Sequence, residues 1–185
     1  RAQEHCHRNN SECSSTIKDF LGTSCLIVDS SNTPSAKAFW QHTGLGLSSR
    51  EAAIALGREK APSSSEGDCS RNKLLNRLAD IYSCDSSLIQ LHRSGMAALT
   101  NILLAIKCIK GNNSILQIGF PYVDVLKLPQ MIFQGSDLIV QTKLSQIKEE
   151  LDKKDPAALI IEIPSNPLLQ CVDLISISKL AQSKN

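Results

Sequence analysis

The second half of this chain alternates strand-length apolar runs with helical stripes, and that pattern most constrains its fold. Ser114 to Ile118, Asp137 to Gln141 and Ala157 to Ile163 have strand length. The last is apolar except for Glu162, and such a run suits a parallel strand buried on both faces. Between the runs lie helical segments. Tyr122 to Phe133 reads as a helix that Pro129 should end or kink. Leu144, Ile147 and Leu151 share one face, with Lys148, Glu149 and Glu150 on the other, and Pro156 stops that helix. Asp173 is a good N-cap for a final helix in which Leu174, Ile177 and Ala181 share a face.

Upstream, Leu74, Leu75, Leu78, Ile81 and Tyr82 share a helical face. Ser87 to Leu91 reads as a short strand, and Met96, Leu99, Leu103 and Ile106 as a helix ending near Gly111. The expectation is an α/β fold, a mostly parallel sheet with flanking helices joined by right-handed βαβ units. Ligands of such sheets bind beyond the carboxyl ends of the strands. The loops that matter are therefore Arg93 to Met96, Gly119 to Asp124, and Pro164 to Pro167.

The first ~30 residues lack helical period and are rich in Ser, Asn and Cys, with Cys25 to Val28 as a short strand candidate. Ala61 to Gly67 is a low-complexity stretch that reads as a mobile loop or linker. It divides the 185 residues into an N-terminal extension and arm, 1–67, and an α/β domain, 68–185.

Composition removes several functions. Lys plus Arg total 20 against 18 for Asp plus Glu, so no electrostatic case exists for nucleic acid or an anionic membrane. Aromatic residues make up only 4%, too few for base-stacking platforms. Runs such as Ala157 to Ile161 are far too short to span a bilayer. The polar start Arg1-Ala2-Gln3-Glu4-His5 has no secretory pattern. Seven scattered Cys then imply reduced thiols in the cytoplasm, and the two Asn-x-Ser sequons carry no meaning. His5-Cys6-His7 with Cys13 matches no standard zinc spacing, so no metal is expected. The chain has no starting Met and reads as a fragment or a processed product.

Each of the three loops has a chemical reading and a plain one. Ser94-Gly95-Met96 opens a helix, where unpaired N–H groups and a partial positive charge favour a phosphate. Gly95 permits close approach, and Ser94 can cap the helix or add a hydroxyl. Alone, this is an ordinary capped helix start. Tyr122, in Phe120-Pro121-Tyr122, can stack on a planar ring, or act as an acid or base if its pKa is lowered. Alone, it is a Tyr packed at a sheet edge. In Pro164-Ser165-Asn166-Pro167, two prolines fix the backbone so that Asn166 presents an amide to the crevice. Alone, this is a rigid turn.

Together the segments resemble the trans-sulfuration enzymes of cysteine and methionine metabolism, which depend on pyridoxal 5'-phosphate (PLP). Ser94-Gly95-Met96-Ala97-Ala98 is similar to that family's phosphate-binding segment. Glu162 to Leu169, followed by Val172-Asp173, resembles its most recognisable segment over about ten residues, and Phe120-Pro121-Tyr122-Val123-Asp124 lies between them in the family's order. Phe39-Trp40-Gln41-His42-Thr43-Gly44, with Ser48-Ser49-Arg50, resembles a cystathionine γ-synthase-like branch. The resemblance covers roughly residues 36 to 182.

The resemblance implies part of the large domain of an aspartate aminotransferase-like fold. It implies that the Gly95 and Met96 amides, with Ser94, hold the cofactor phosphate. It implies that Tyr122 stacks on the pyridine ring and acts on the leaving group, and that Asn166 lines the site. An Arg that reaches a neighbouring subunit's phosphate corresponds to Arg50, with Arg71 the other candidate, and neither follows the family's Tyr. The implied partners are small amino acids and further copies of the same chain. The family's pyridine-nitrogen aspartate and its cofactor-bearing lysine have no counterpart before Asn185, so the chain alone is expected to be inactive. The implied reaction is cystathionine γ-synthase-type replacement on an activated homoserine ester by cysteine. Elimination of the cystathionine lyase or methionine γ-lyase type is the alternative, as is a non-catalytic Rossmann-like binding or interaction module. The absence of G-x-G-x-x-G and Walker segments weakens that last reading.

Overall fold

A computed structural model describes residues 1–133 and 135–184. The chain divides into two compact units. One comprises Arg1–Ala36 and Gly44–Ala98, the other Lys37–Thr43 and Leu99–Asn185.

The first unit begins with helix α1 (Ala2–Asn9), then a hairpin of β1 (Ser15–Phe20) and β2 (Thr23–Val28). The sequence showed strand character only at Cys25 to Val28. Strand β1 is nearly all exposed, so no buried face imposes an alternating pattern on it. Helix α1 escaped notice because its buried positions are His5 and Cys6 rather than an aliphatic stripe. Cys6 and Cys13 are buried free thiols, and burial, with Cys13 beside it, pushes the Cys6 thiol up. Among the described residues no three His, Cys, Asp or Glu side chains converge as a metal site.

Two further expectations are corrected here. The Ser-rich stretch ending at Gly67 is largely helical: α4 runs Ser64–Tyr82. Ser63 Oγ accepts the Glu66 N–H, and the Glu66 side chain accepts the Ser63 N–H. That reciprocal capping box starts a helix where composition alone reads as linker. Ser87 to Leu91 forms no strand. Asp85 Oδ1 accepts the Ser87 N–H at 2.8 Å, and Ser86–Leu88 turn as a 3-10 helix. A side chain that captures a backbone donor in this way competes with a sheet ladder.

Helix α2 (Thr33–Thr43) begins in the first unit and ends in the second. Helix α3 (Ser49–Ala55) carries its own capping box, Ser48 with Glu51. Helix α5 (Gly95–Lys110) leads into the second unit.

The second unit is the α/β assembly that the alternation predicts. Strands β3 (Ile115–Ile118), β4 (Ser136–Ile139) and β5 (Ala158–Ile161) form a parallel sheet in the order β4-β3-β5. Helices α6 (Val123–Ile132), α7 (Leu144–Lys153) and α8 (Leu174–Gln182) follow the strands in turn. Pro129 sits inside α6, which continues to Ile132. Asp173 caps α8 through the Ser176 N–H, as its position predicts.

Every residue of β3 is buried. Leu116 and Ile118 pack with Ile139, Ile147, Leu151 and Ile177, so α7 and α8 cover that face. Gln117 faces the opposite way, and its amide donates to Leu126 O of α6 at 2.9 Å. Helix α6 therefore lies on the face opposite α8. Lys107 of α5 donates to Ile132 O and stands over the Phe133 ring, which ties α5 to the end of α6. Among the described residues no helix is long and apolar enough to cross a membrane.

Candidate functional site

In the second unit, the topology prepares a crevice. Strands β3 and β5 are neighbours, yet the helices that follow them lie on opposite faces of the sheet. The two connections diverge at the carboxyl ends of their strands, the position at which open α/β sheets take ligands. One connection carries Tyr122 and the other carries Glu162 and Asn166.

Gly119 leaves β3 with φ +84, a left-handed conformation that a side chain would strain, and its N–H donates to Ile139 O at 2.8 Å. The backbone is thereby turned toward Tyr122, the N-cap residue of α6. Strand β5 stops at Ile161, two residues short of the apolar run. Glu162 is freed from the ladder, and its Oε2 accepts the Tyr122 N–H at 2.7 Å. The Tyr122 ring is about half exposed, at 46%. Hydrogen bonding to the Asp124 side chain first, then the Asp124 charge, then burial, hold the phenol above its ordinary value. A phenol that keeps its proton serves as a donor rather than as a base.

Asn166 lies in a loop closed on Ser165. The buried Ser165 hydroxyl accepts the Gln170 N–H at 3.0 Å, and Ser165 N–H donates to Gln170 O. Both flanking X–Pro bonds, Ile163-Pro164 and Asn166-Pro167, are cis. Asn166 is exposed, so its amide faces outward from a backbone held by its neighbours.

In the first unit, Ser94 Oγ accepts the Ala97 N–H at 3.1 Å and caps α5. The Gly95 and Met96 N–H groups have no protein acceptor among the described residues. Nothing lies within 4 Å of a Cβ built on Gly95. Unpaired donors beside open space are what an anion at a helix N-terminus needs. The segment is backed by Gly44, at φ +64, where a Cβ would meet Ser94 Oγ at 2.8 Å and Ala97 N at 2.9 Å. Arg93 donates to Gly46 O at 2.8 Å and pairs with Glu51 Oε2 at 3.0 Å. Glu51, held by the Ser48 N–H and hydroxyl first and by Arg93 last, ionises below the usual carboxylate range. Arg50 and Arg93 line an open depression with Ser48, Ser49 and Glu59. Arg71 is exposed on α4.

No family model matches the chain, and no solved structure matches it. It is 28% identical to L-2-amino-4-chloropent-4-enoate dechlorinase/desaturase of Streptantibioticus cattleyicolor, over 76% of this chain and 31% of that one. That relative is an enzyme. The chain spans about a third of the relative's length.

Four functional candidates escaped the sequence reading. Gly44 and Arg93 were legible only as members of their phrases, since their importance lies in what they approach across the chain. Glu162 reads as an interruption of an apolar strand, which is itself a signal: a carboxylate at a strand's carboxyl end faces the crevice. The fourth is a pair. His42 Nδ1 lies 2.7 Å from Asp124 Oδ1, with both side chains nearly buried. Nothing in a sequence links residues so far apart.

Proposed function

We propose that this chain carries the cofactor-phosphate and ring-facing loops of a PLP-dependent enzyme acting at the γ-carbon of a small α-amino acid. The divergence of the β3 and β5 connections carries the reading, because it brings Tyr122 and the Pro164–Pro167 loop to one strand end. The resemblance to trans-sulfuration enzymes and the distant likeness to a dechlorinase/desaturase support it.

The residues present fit such a cofactor. The open Gly95 and Met96 amides suit a phosphate, and a half-exposed Tyr122 ring offers a flat face to a planar group. Bound PLP would supply an electron sink that labilises bonds to the amino acid's carbons. The chain's own residues do the rest. Ser94 fixes the first turn of α5. Glu162 holds the Tyr122 backbone. The Tyr122 hydroxyl delivers a proton to the departing γ-substituent. Asn166 orients the ring or the substrate through its exposed amide, and Arg50 reaches the phosphate of a neighbouring copy in a homo-oligomer.

The first reading of the reaction is γ-replacement on an activated homoserine ester by cysteine, of the cystathionine γ-synthase type. γ-Elimination is the second, favoured by the relative, whose named substrate carries its chlorine on the γ-carbon. Titration of the protein with PLP, followed by cofactor fluorescence, tests the reading. Saturable one-to-one binding is expected. Met96→Pro removes one N–H from a first turn that tolerates proline, and should weaken binding about tenfold. Absence of saturable binding overturns the reading. Product analysis with the ester, with and without cysteine, in an enzyme that joins these loops to a cofactor-bearing lysine separates replacement from elimination.

A further inference from the structure

The open donors of α5 follow an irregular segment, and a side chain just before them reaches far along the chain. From Ile89 to Ser94 the backbone is neither helix nor strand. Arg93, the residue before Ser94, donates through one nitrogen to two acceptors. Its Nη1 lies 2.8 Å from Gly46 O and 3.0 Å from Glu51 Oε2, which stand 47 and 42 residues upstream. All three residues belong to the first unit.

The carboxylate that receives Arg93 is itself fixed. The same Oε2 accepts the Ser48 N–H at 2.9 Å, and the Glu51 N–H donates to Ser48 Oγ at 3.1 Å. Such a capping box is local and does not depend on Arg93. Gly44 joins the same two segments a second time. A Cβ there would meet Ser94 Oγ at 2.8 Å, Ala97 N at 2.9 Å and Met96 Cβ at 3.0 Å, so the approach is as close as a glycine allows. Segment 44–51 therefore meets the start of α5 at Arg93 and again at Ser94 to Ala97.

The Arg93 and Glu51 side chains are 47% and 43% exposed. An ion pair so open to water adds little stability, so its use is to be sought in what it holds. It holds the entry to the turn that carries the Gly95 and Met96 N–H groups. An anion binds most tightly to donors that need no ordering.

We propose that Arg93 and Glu51 are positioning residues for the first turn of α5, the carboxylate fixing the guanidinium and the guanidinium fixing where the helix begins. This rests on the reading of Gly95 and Met96 as phosphate donors. Two other roles are separable from it. An Arg93 that touched the phosphate itself would alter binding and leave the turn unchanged. A pair that served stability alone would loosen the whole helix.

Amide hydrogen exchange in the full chain, read by nuclear magnetic resonance, distinguishes these without a cofactor. The reporters are the N–H groups of Ala97, bonded to Ser94 Oγ, and Ala98, bonded to Ser94 O. In Arg93→Met, which keeps an apolar stem and loses both bonds, the two should exchange about tenfold faster. The amides of Leu103 to Ile106 should keep their rates. Glu51→Gln keeps an acceptor for the Ser48 N–H, and should act in the same direction but less strongly, since Gly46 O still receives Arg93. Added to Arg93→Met, it should change nothing further. Unchanged rates at Ala97 and Ala98 in Arg93→Met overturn the proposal. So does equal acceleration from Ala97 to Ile106, or a Glu51→Gln effect that persists in the Arg93→Met background. Should Arg93→Met fail to melt cooperatively, Glu51→Gln decides alone: faster exchange confined to Ala97 and Ala98 supports the proposal, and any other pattern overturns it. PLP affinity, titrated in the same variants, should fall in step with the exchange rates. A fall in affinity with unchanged exchange makes Arg93 a direct contact and overturns the positioning role. A chain that binds no PLP but shows the exchange pattern would sink the proposed function and leave the positioning intact.

Discussion

At the scale of single residues, this molecule sets backbone geometry with a few side chains, and few residues carry the proposed chemistry. Gly44 shows the first. A methyl group there would stand at 2.8 Å from Ser94 Oγ on a backbone already at φ +64. Gly44→Ala should cost about 1–3 kcal/mol in urea unfolding, and weaken PLP binding along with it, because the displaced atoms belong to the proposed phosphate segment. Tyr122 shows the second. In an enzyme that joins these loops to a cofactor-bearing lysine, Tyr122→Phe should lower turnover about 100-fold, with PLP affinity retained in the fluorescence titration, because the ring remains and only the proton is lost. Asp29 gives a pH dependence. Its carboxylate accepts first from the Ser31 and Asn32 side chains, then from the Ser14 and Asn32 N–H groups, and its pKa is lowered from 3.8 to about 2. Between those values the unfolded chain binds more protons than the folded one. The stability that Asp29 contributes is therefore complete above pH 4 or so and is lost as pH falls toward about 2. Asp29→Asn should flatten the fall of the urea midpoint over that window.

At the scale of elements, legibility in the sequence followed the physical signal each one leaves. Helices α5, α7 and α8 and strands β3 to β5 were readable because a buried face forces a period on the side chains. The α8 cap was readable because Asp173 precedes the stripe. Helix α1 and strand β1 left no such trace, since polar residues or exposed ones line them. Helix α4 hid its start in serines, although the Ser63-x-x-Glu66 spacing is a start signal in its own right. The site was legible to the same degree. Ser94 to Met96, Tyr122 and Asn166 are local segments and stand out in the chain. Gly44, Arg93 and the His42–Asp124 pair act across distance and become visible only when the backbone is folded. Ile147 tests the packing side of this picture. It is fully buried between α7 and the sheet, and Ile147→Ala should cost about 2–5 kcal/mol by urea denaturation.

At the scale of the whole molecule, the two units differ in how they bury their apolar residues. The second unit encloses its core around β3. In the first, Leu74, Ile81 and Tyr82 of α4 stay largely exposed although they form the stripe that announces the helix. An amphipathic helix whose apolar face meets water is a candidate for association. Sedimentation equilibrium is expected to show self-association that weakens in Ile81→Glu.

The strand order has a kinetic consequence as well. Strand β3 is made first but sits in the middle, flanked by strands that come after it in the chain. Its ladder stays half open until Ile161 has been synthesised, and parallel pairing across such a separation closes slowly. During that interval the edge of β3 is a template for any other extended chain. Pulsed hydrogen exchange during refolding should therefore find the β3 amides protected together with β5, and late.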